Sequence, residues 1–391
     1  MKLSTDSILT THVGSLPRPQ SLVDWLLKKD HGEDYDHAEY DRVITDAVDE
    51  VLRRQKAVGI DVPSDGEASK VSYSTYMMDR LNGFGGDNER RTPLDMAAHP
   101  EFRAKITRMT GVQEFRRASC VAPITVKSWE PLKIDIANMK AGMARHGYGE
   151  GFMNTASPGL ITAFQPNQFY KSHEEYVWAL AAVMQEEYEI IAASGLILQL
   201  DCPDLAMARH IGFQDLTEAE FLKQSQVHVE AMNHALRNVP AEQCRYHICW
   251  GNYEGPHDHD IPVERIMDVI LKAKPQAVVF EAANVRHAHE WAVWKETAIP
   301  QDKVLVPGTL DSCSNYVEHP EFVAQTIEKF ADIVGKERVI AGTDCGFGTF
   351  AGYGKMDMEI SYKKLGSLVE GAAIASKRLW RRAAPREAGA S

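Results

Sequence analysis

The sequence predicts an α/β chain closed as a (β/α)8 TIM barrel, and three observations predict it. Amphipathic helical stretches stop at a glycine, and a short apolar, β-branched run follows at once. Candidate strands of this kind fall near residues 8–14, 60–66, 151–156, 196–201, 245–250, 277–282, 303–309 and 338–344, the number that a closed barrel requires. Polar and metal-binding side chains collect where those runs end, the place where strand–helix barrels carry their sites. A doubly wound open sheet shares the first two features, because periodicity is silent on closure.

Taken in order, the first run is Leu9–Val13, followed by a helical stretch around Arg42–Val58 that Gly59 stops just before Ile60–Pro63. Residues 70–150 exceed a single crossover, and Ala118–Lys127 reads as an extra strand pair, so an inserted helical and hairpin segment is expected over the barrel mouth. Ser172 and Glu175 form a capping-box pattern. Val177, Leu180, Met184, Tyr188 and Ile191 then share one helical stripe, and Gly195 precedes the run Leu196–Leu200. The same grammar recurs at Phe322–Val334, Gly335 and Arg338–Gly342. The expected organisation is one catalytic barrel over residues 1–380, with the insertion at about 70–150 and a flexible tail over 381–391.

Composition narrows the function. The chain has 391 residues and a formal net charge of −12, which repels phosphate backbones and anionic membranes, so nucleic acid and membrane are poor partners. Neither a membrane-length apolar run nor a signal-peptide pattern is visible, which suggests the cytoplasm. The six cysteines are widely spaced, as expected of reduced thiols or metal thiolates rather than a secreted disulfide scaffold. Oligomeric state has no signature here, and a homo-oligomer stays open.

The polar residues at strand ends are His12 and Ser15, Asp65 and Glu67, Asp201, His247 and Cys249, Glu281, Asp311, and Asp344 with Cys345. His247 and Cys249 stand two apart on a strand and so face one side, and a closed barrel returns Cys345 to the same mouth. One imidazole and two thiolates suit Zn2+, with a fourth position left for chemistry and Glu281 able to fill it. The bland alternative is that all three are ordinary core residues. His257, Asp258 and His259 read as a solvated loop or a second metal site. Gly346, Gly348, Gly352 and Gly354 read as flexibility beside Cys345 more than as a phosphate loop, and Gly83, Gly85 and Gly86 as no dinucleotide fingerprint.

The segments Thr10–Pro19, His247-Ile248-Cys249, Phe280-Glu281 and Thr343-Asp344-Cys345-Gly346 resemble the catalytic barrel of cobalamin-independent methionine synthase, in order from about residue 8 to 380. The resemblance implies a barrel whose zinc is held at His247, Cys249 and Cys345, with Glu281 as an exchangeable ligand. It implies a thiol substrate, homocysteine or similar, whose ammonium meets Asp201 and Glu67 and whose carboxylate meets the backbone near Ser15. The alkyl donor would be a methyl-folate, a methylcorrinoid or an epoxide.

Two departures bear on that donor. Where the synthase has a proton-delivering histidine after the aspartate, this chain has Ser312 after Asp311; where it stacks pterin on a tryptophan, this chain offers Phe164 and Phe169. Only one copy of the synthase barrel is present. Asp311–Asn315 with Glu318-His319-Pro320 looks closer to short members such as epoxyalkane:coenzyme M transferase, which would alkylate a non-amino-acid thiol. A zinc- or ligand-binding barrel without turnover is the reading from another class. A metal-free barrel of the uroporphyrinogen decarboxylase kind would leave His247, Cys249 and Cys345 unexplained.

Overall fold

The protein is described by a computed structural model over residues 1–111 and 114–382. The tail expected over 381–391 falls almost wholly outside the described residues. The chain opens with β1 (Leu9–Thr10), α1 (Gln20–His31) and α2 (His37–Val58). The inserted segment follows as β2 (Leu81–Gly85), α3 (Leu94–Ala98), α4 (Pro100–Thr110) and β3 (Ser119–Val126), and α5 (Glu130–His146) leads back to the barrel. Then come β4 (Phe152–Ala156), α6 (Pro158–Phe164), α7 (His173–Ala193), β5 (Ile197–Asp201), α8 (Glu218–Ala235), β6 (Cys244–His247) and α9 (Val263–Ile270). The chain ends with β7 (Ala277–Phe280), α10 (Trp291–Glu296), β8 (Val304–Pro307), α11 (Pro320–Val334), β9 (Ile340–Ala341) and α12 (Met358–Arg382).

Strands β4 to β8 form one parallel sheet in sequential order, and β1 pairs in parallel with β9. Parallel bridges Leu305↔Val339 and Gly308↔Gly342 carry β8 onto β9. The remaining gap is filled by residues 60–63: Val62 N–H donates to Thr10 O at 3.0 Å, and Phe152 N–H donates to Pro63 O at 2.9 Å. The second stave is therefore present as backbone hydrogen bonds but not as a regular strand. Pro63 has no N–H to give, and Asp61 turns its carboxylate back to the Thr10 N–H at 2.9 Å. With that stave the barrel is closed, as expected of a (β/α)8 fold.

Arg245 ties the interior together. Its guanidinium donates to Gln199 Oε1, Thr11 Oγ1 and the carbonyl of His12 at 2.6, 3.0 and 2.9 Å, and it lies 3.5 Å from the Phe152 ring centroid. Four staves thus share one buried cation, which donates three hydrogen bonds to two of them.

The local signals differ in detail. Gly59 takes φ +94° and closes α2, as the glycine stop requires. At α7, Ser172 caps the Glu175 N–H, but the Glu175 carboxylate reaches the Lys171 N–H, so the box is half made; the reciprocal box is Thr217 with Glu220 at α8. Ala118–Lys127 supplies one strand rather than a pair. Its partner is Leu81–Gly85, antiparallel, with a register shift between Asn82 and Phe84 where Gly83 takes φ +100°. Gly83 and Gly85 thus belong to a bulged antiparallel strand.

Candidate metal and thiol site

The end of β6 carries His247, and Cys249 follows two residues on; Cys345 follows β9. Barrel closure brings them together: the Cys249 and Cys345 sulfurs stand 3.7 Å apart, and the His247 ligand atom joins them within 4.8 Å. Two thiolates on one tetrahedral zinc, each at about 2.3 Å, stand about 3.8 Å apart, so this spacing is what such a site requires.

All three side chains are buried. Neither ring nitrogen of His247 finds a well-formed hydrogen bond among the described residues, and burial lowers its pKa to about 3, leaving a neutral imidazole with lone-pair capacity unused. The Cys345 thiol is pushed up first by its hydrogen bond with Cys249 and then by burial. Two thiols and an unpartnered imidazole at this spacing fit a soft divalent cation better than an apolar core. No second group of three such residues occurs among the described residues.

Glu281 lies outside the three-residue group. Its carboxylate accepts from the Trp250 N–H at 2.9 Å, from Asn284 at 2.7 Å and from Arg286 at 2.8 Å. Arg286 in turn binds Asp260 at 3.0 Å, which also meets His257 and His287. His257, read from sequence as loop or second metal site, is thus a buried strut of this ion network. Asp344 is structural as well, accepting three backbone N–H groups from Ala282, Ala283 and Asn284 at 2.8–2.9 Å.

A cavity of about 260 Å³ opens over the His–Cys–Cys group. Ser15, Glu67, Asn154 and Asp201 line its floor. Asp201 accepts from Asn154 Nδ2 at 3.2 Å and Gln199 Nε2 at 3.3 Å; burial, then the neighbouring Glu67, raises its pKa to about 7. Burial likewise raises that of Glu67, which sits at φ +55° beside Lys70 at 3.8 Å. Two adjoining buried carboxyls do not both ionise readily, and a cation placed between them relieves both. Glu67 Oε1 and Asn154 Oδ1 have no hydrogen-bond partner among the described residues. The floor is therefore shaped for an ammonium-type donor. Ser15 comes close because Gly346 has no side chain: a Cβ there would collide with Ser15 Oγ.

The other expected site residues lie elsewhere. Asp311 turns its carboxylate to the Cys313 N–H at 2.9 Å, and Ser312 donates to Asn252 Oδ1 at 2.8 Å; neither lines this cavity. Phe164 lines an adjoining cavity instead, with the Arg90 guanidinium 4.9 Å from its ring centroid, while Phe169 is exposed. His12 is held against Gln55 at 2.7 Å, away from the cavity. Tyr73 does reach the cavity wall.

Comparison with known proteins matches the family model "Cobalamin-independent synthase, Catalytic domain" over residues 8–92 and 150–369, more than half of the chain. The chain belongs to the cobalamin-independent methionine synthase family. A methionine synthase of Saccharolobus solfataricus is 26% identical over 377 residues, covering 95% of this chain and 96% of its own, and one of Thermococcus kodakarensis is 26% identical over 374 residues, with 95% and 94% covered. Among solved structures, a B12-independent methionine synthase from Shewanella sp. W3-18-1 in complex with selenomethionine superposes with a TM-score of 0.71 at 20% identity, covering 96% of this chain and 99% of that one; this is a likeness of fold. The family makes the chain a methyltransferase. No helix among the described residues is long and apolar enough to cross a membrane.

The family model skips residues 93–149, which hold α3, α4, β3 and α5, while the methionine synthase relatives align across 95% of this chain. Sequence reasoning missed Asn154, Asn252 and Arg286, whose roles appear only when staves far apart in sequence are brought side by side. It also missed four arginines from residues 90–117, Arg90, Arg91, Arg103 and Arg117, all on the cavity wall.

Proposed function

We propose that the protein is a zinc-dependent S-methyltransferase that converts homocysteine to methionine, with His247, Cys249 and Cys345 as the protein ligands. The observation that carries this reading is the unpartnered buried imidazole with both thiols inside 4.8 Å. Coordination of a substrate thiol at such a zinc lowers its pKa, so that it reacts as the thiolate.

The chain's own residues do the rest. Asp201 and Glu67 take the ammonium, and the backbone beside Ser15 takes the carboxylate. Were zinc bound, Glu281 could serve as its exchangeable fourth ligand; its carboxylate is held here by Trp250, Asn284 and Arg286. The sulfur electron pair then forms the S–C bond as the carbon–donor bond breaks and the donor leaves with its pair. Ser312 acts on this chemistry only through Asn252, which lines the cavity and accepts from it, and Asp311 shapes the turn that carries Ser312 by accepting from the Cys313 N–H. The whole of residues 1–380 is read as one catalytic unit, with its insertion at about 70–150 forming the roof and Phe164 a wall for the donor in the adjoining cavity. The reaction belongs to the cytoplasm.

A second reading, alkylation of a thiol without an amino group, takes support from Ser312 in place of a histidine and is opposed by the paired carboxyls of the cavity floor. Zinc-edge X-ray absorption with and without homocysteine separates the two. A sulfur count rising from two to three supports the methionine synthase reading; zinc without the rise favours the other thiol, and a protein purified under reducing conditions that holds no zinc refutes both.

A further inference from the structure

A second set of titratable groups lies behind the wall of the adjoining cavity. Asp201 ends β5 and lines the thiol cavity, while Asp204, in the turn Pro203–Leu205 that follows, lies off it and fully buried. The Asp204 carboxylate accepts from Ser157 Oγ and from His228 Nδ1, each at 2.9 Å. The other ring nitrogen of His228 stands 2.7 Å from Nε2 of His173, and His173 lines the adjoining cavity. Asp204, His228 and His173 thus form one hydrogen-bonded line from a buried carboxylate to a cavity wall. The line needs a glycine beside it: a Cβ at Gly159 would collide with both the Asp204 carboxylate and the His228 ring.

Such a line carries protons. Two imidazole nitrogens at 2.7 Å hold a hydrogen between them, since two lone pairs would repel at that distance. Burial, then His228, lowers the pKa of His173 to about 3, so its ring rests neutral. A neutral imidazole alone is a feeble acid, but one resupplied at its second nitrogen is not. Asp204 supplies the buried negative charge that offsets a positive charge on the two rings.

The reaction has a use for that proton. A nitrogen or oxygen atom that leaves the transferred carbon departs with the bonding pair and must be protonated. Among the described residues, the histidines on the two cavity walls are His247, which belongs to the metal group, and His173. Burial holds the Tyr73 phenol well above its ordinary pKa, and Tyr253 is tied to Asp95 at 2.8 Å. The adjoining cavity is also close to the reacting centre. Met207 lines both cavities, and its N–H donates to the Cys249 carbonyl at 3.0 Å.

We propose that His173 is the general acid for the departing alkyl donor, with His228 and Asp204 as the positioning residues that resupply its proton. The proposal rests on the functional reading above for the metal and the thiol. As sulfur forms the S–C bond and the carbon–donor bond breaks, the leaving nitrogen or oxygen takes the proton from His173 Nδ1. His173 Nε2 takes one from His228 Nε2, and His228 keeps its Nδ1–H on Asp204. The proton that the substrate thiol gives up to solvent balances the one the donor gains.

The test follows single-turnover alkylation of homocysteine by the zinc-loaded full chain with two kinds of donor. Methyl-folate and ethylene oxide leave through a nitrogen or oxygen that needs a proton; methyl iodide leaves as iodide, which needs none. H173A should slow the first kind by about 100-fold or more and methyl iodide by less than about threefold. D204N should show the same selectivity at about tenfold or more. Added imidazole should restore much of the H173A loss with methyl-folate or ethylene oxide and leave methyl iodide unchanged. If H173A loses zinc, H173Q, which keeps the side-chain bulk, carries the comparison. Equal slowing with both kinds of donor, or no slowing, overturns the proposal. So does a wild type that alkylates homocysteine with methyl iodide but uses neither of the other donors. A wild type that holds no zinc, or that fails with methyl iodide, strikes the functional reading and the proposal with it, because that arm does not involve His173.

Discussion

Replacing Asp201 with asparagine tests the substrate assignment most directly, because shape is kept while the charge is removed. In the native floor both carboxylate oxygens accept: Oδ1 from Asn154 and Gln199 at 3.3 Å each, Oδ2 from Asn154 at 3.2 Å. An amide there puts an NH2 against the Asn154 NH2. Asn154 cannot simply flip, since its Nδ2 also donates to Val13 O at 2.9 Å. The structural cost is one strained neutral hydrogen bond, about 1 kcal/mol. The substrate cost is larger: a buried charge-assisted hydrogen bond to an ammonium is worth about 1.5–3 kcal/mol, or roughly 10- to 150-fold in affinity. Calorimetric titration of homocysteine and of 2-mercaptoethanol into the zinc-loaded protein reads the difference. Homocysteine should lose that factor in D201N, while the thiol without an ammonium should change less than about threefold. Equal losses for both thiols, or none for homocysteine, would refute the ammonium assignment.

Cys345→Ser should lower bound zinc from one per chain to well below it at micromolar protein while the far-UV circular dichroism is kept, because a hard hydroxyl replaces one of two soft ligands; full zinc occupancy in that variant would remove the cluster from consideration. Arg80→Met should cost about 3–5 kcal/mol in urea unfolding, since Glu187 at 2.8 Å and Asp135 at 2.7 Å lose their buried cation. Arg80 lies outside the cavity, so zinc content should hold. Stability should also fall in acid through His12. Burial lowers its pKa to about 4, so from the unfolded value of about 6.5 down to 4 the unfolded chain takes up a proton that the native one refuses. The loss is up to about 1.4 kcal/mol per pH unit, present in wild type and missing in His12→Asn when urea midpoints are followed from pH 7 to 4.5; parallel curves would refute it.

What could be read from the sequence and what could not divide along a physical line. His247 and Cys249 were legible because a strand places residues two apart on one face, a local rule, and Cys345 because a closed barrel returns the last stave to the same mouth. Gly59 was legible for the same kind of reason: one glycine, one left-handed stop. The second stave was harder, since its Pro63 and Asp61 replace ladder bonds with side-chain ones that no alternation pattern encodes. Ala118–Lys127 found its partner some forty residues upstream, across two helices, in a bulged strand whose glycines look like turn residues when read alone. Asp311 and Ser312 sit at a strand end, as a barrel site should, yet one is spent on a turn and the other on Asn252.

The same division explains why the thiol half of the reaction is so much easier to argue than the donor half. The proposed thiol pocket is built from side chains at strand ends of the common barrel, where geometry follows from the fold itself, so residue type and register suggest the role. Over the other side of the cavity, Arg103 reaches the wall from α4 and Arg117 lies two residues before β3. No period or spacing links those arginines to Cys345 or to each other; only tertiary packing puts them over one cavity. Residues that face a reaction partner on that side are therefore not marked by the strand-end rule that picks out the His–Cys–Cys group.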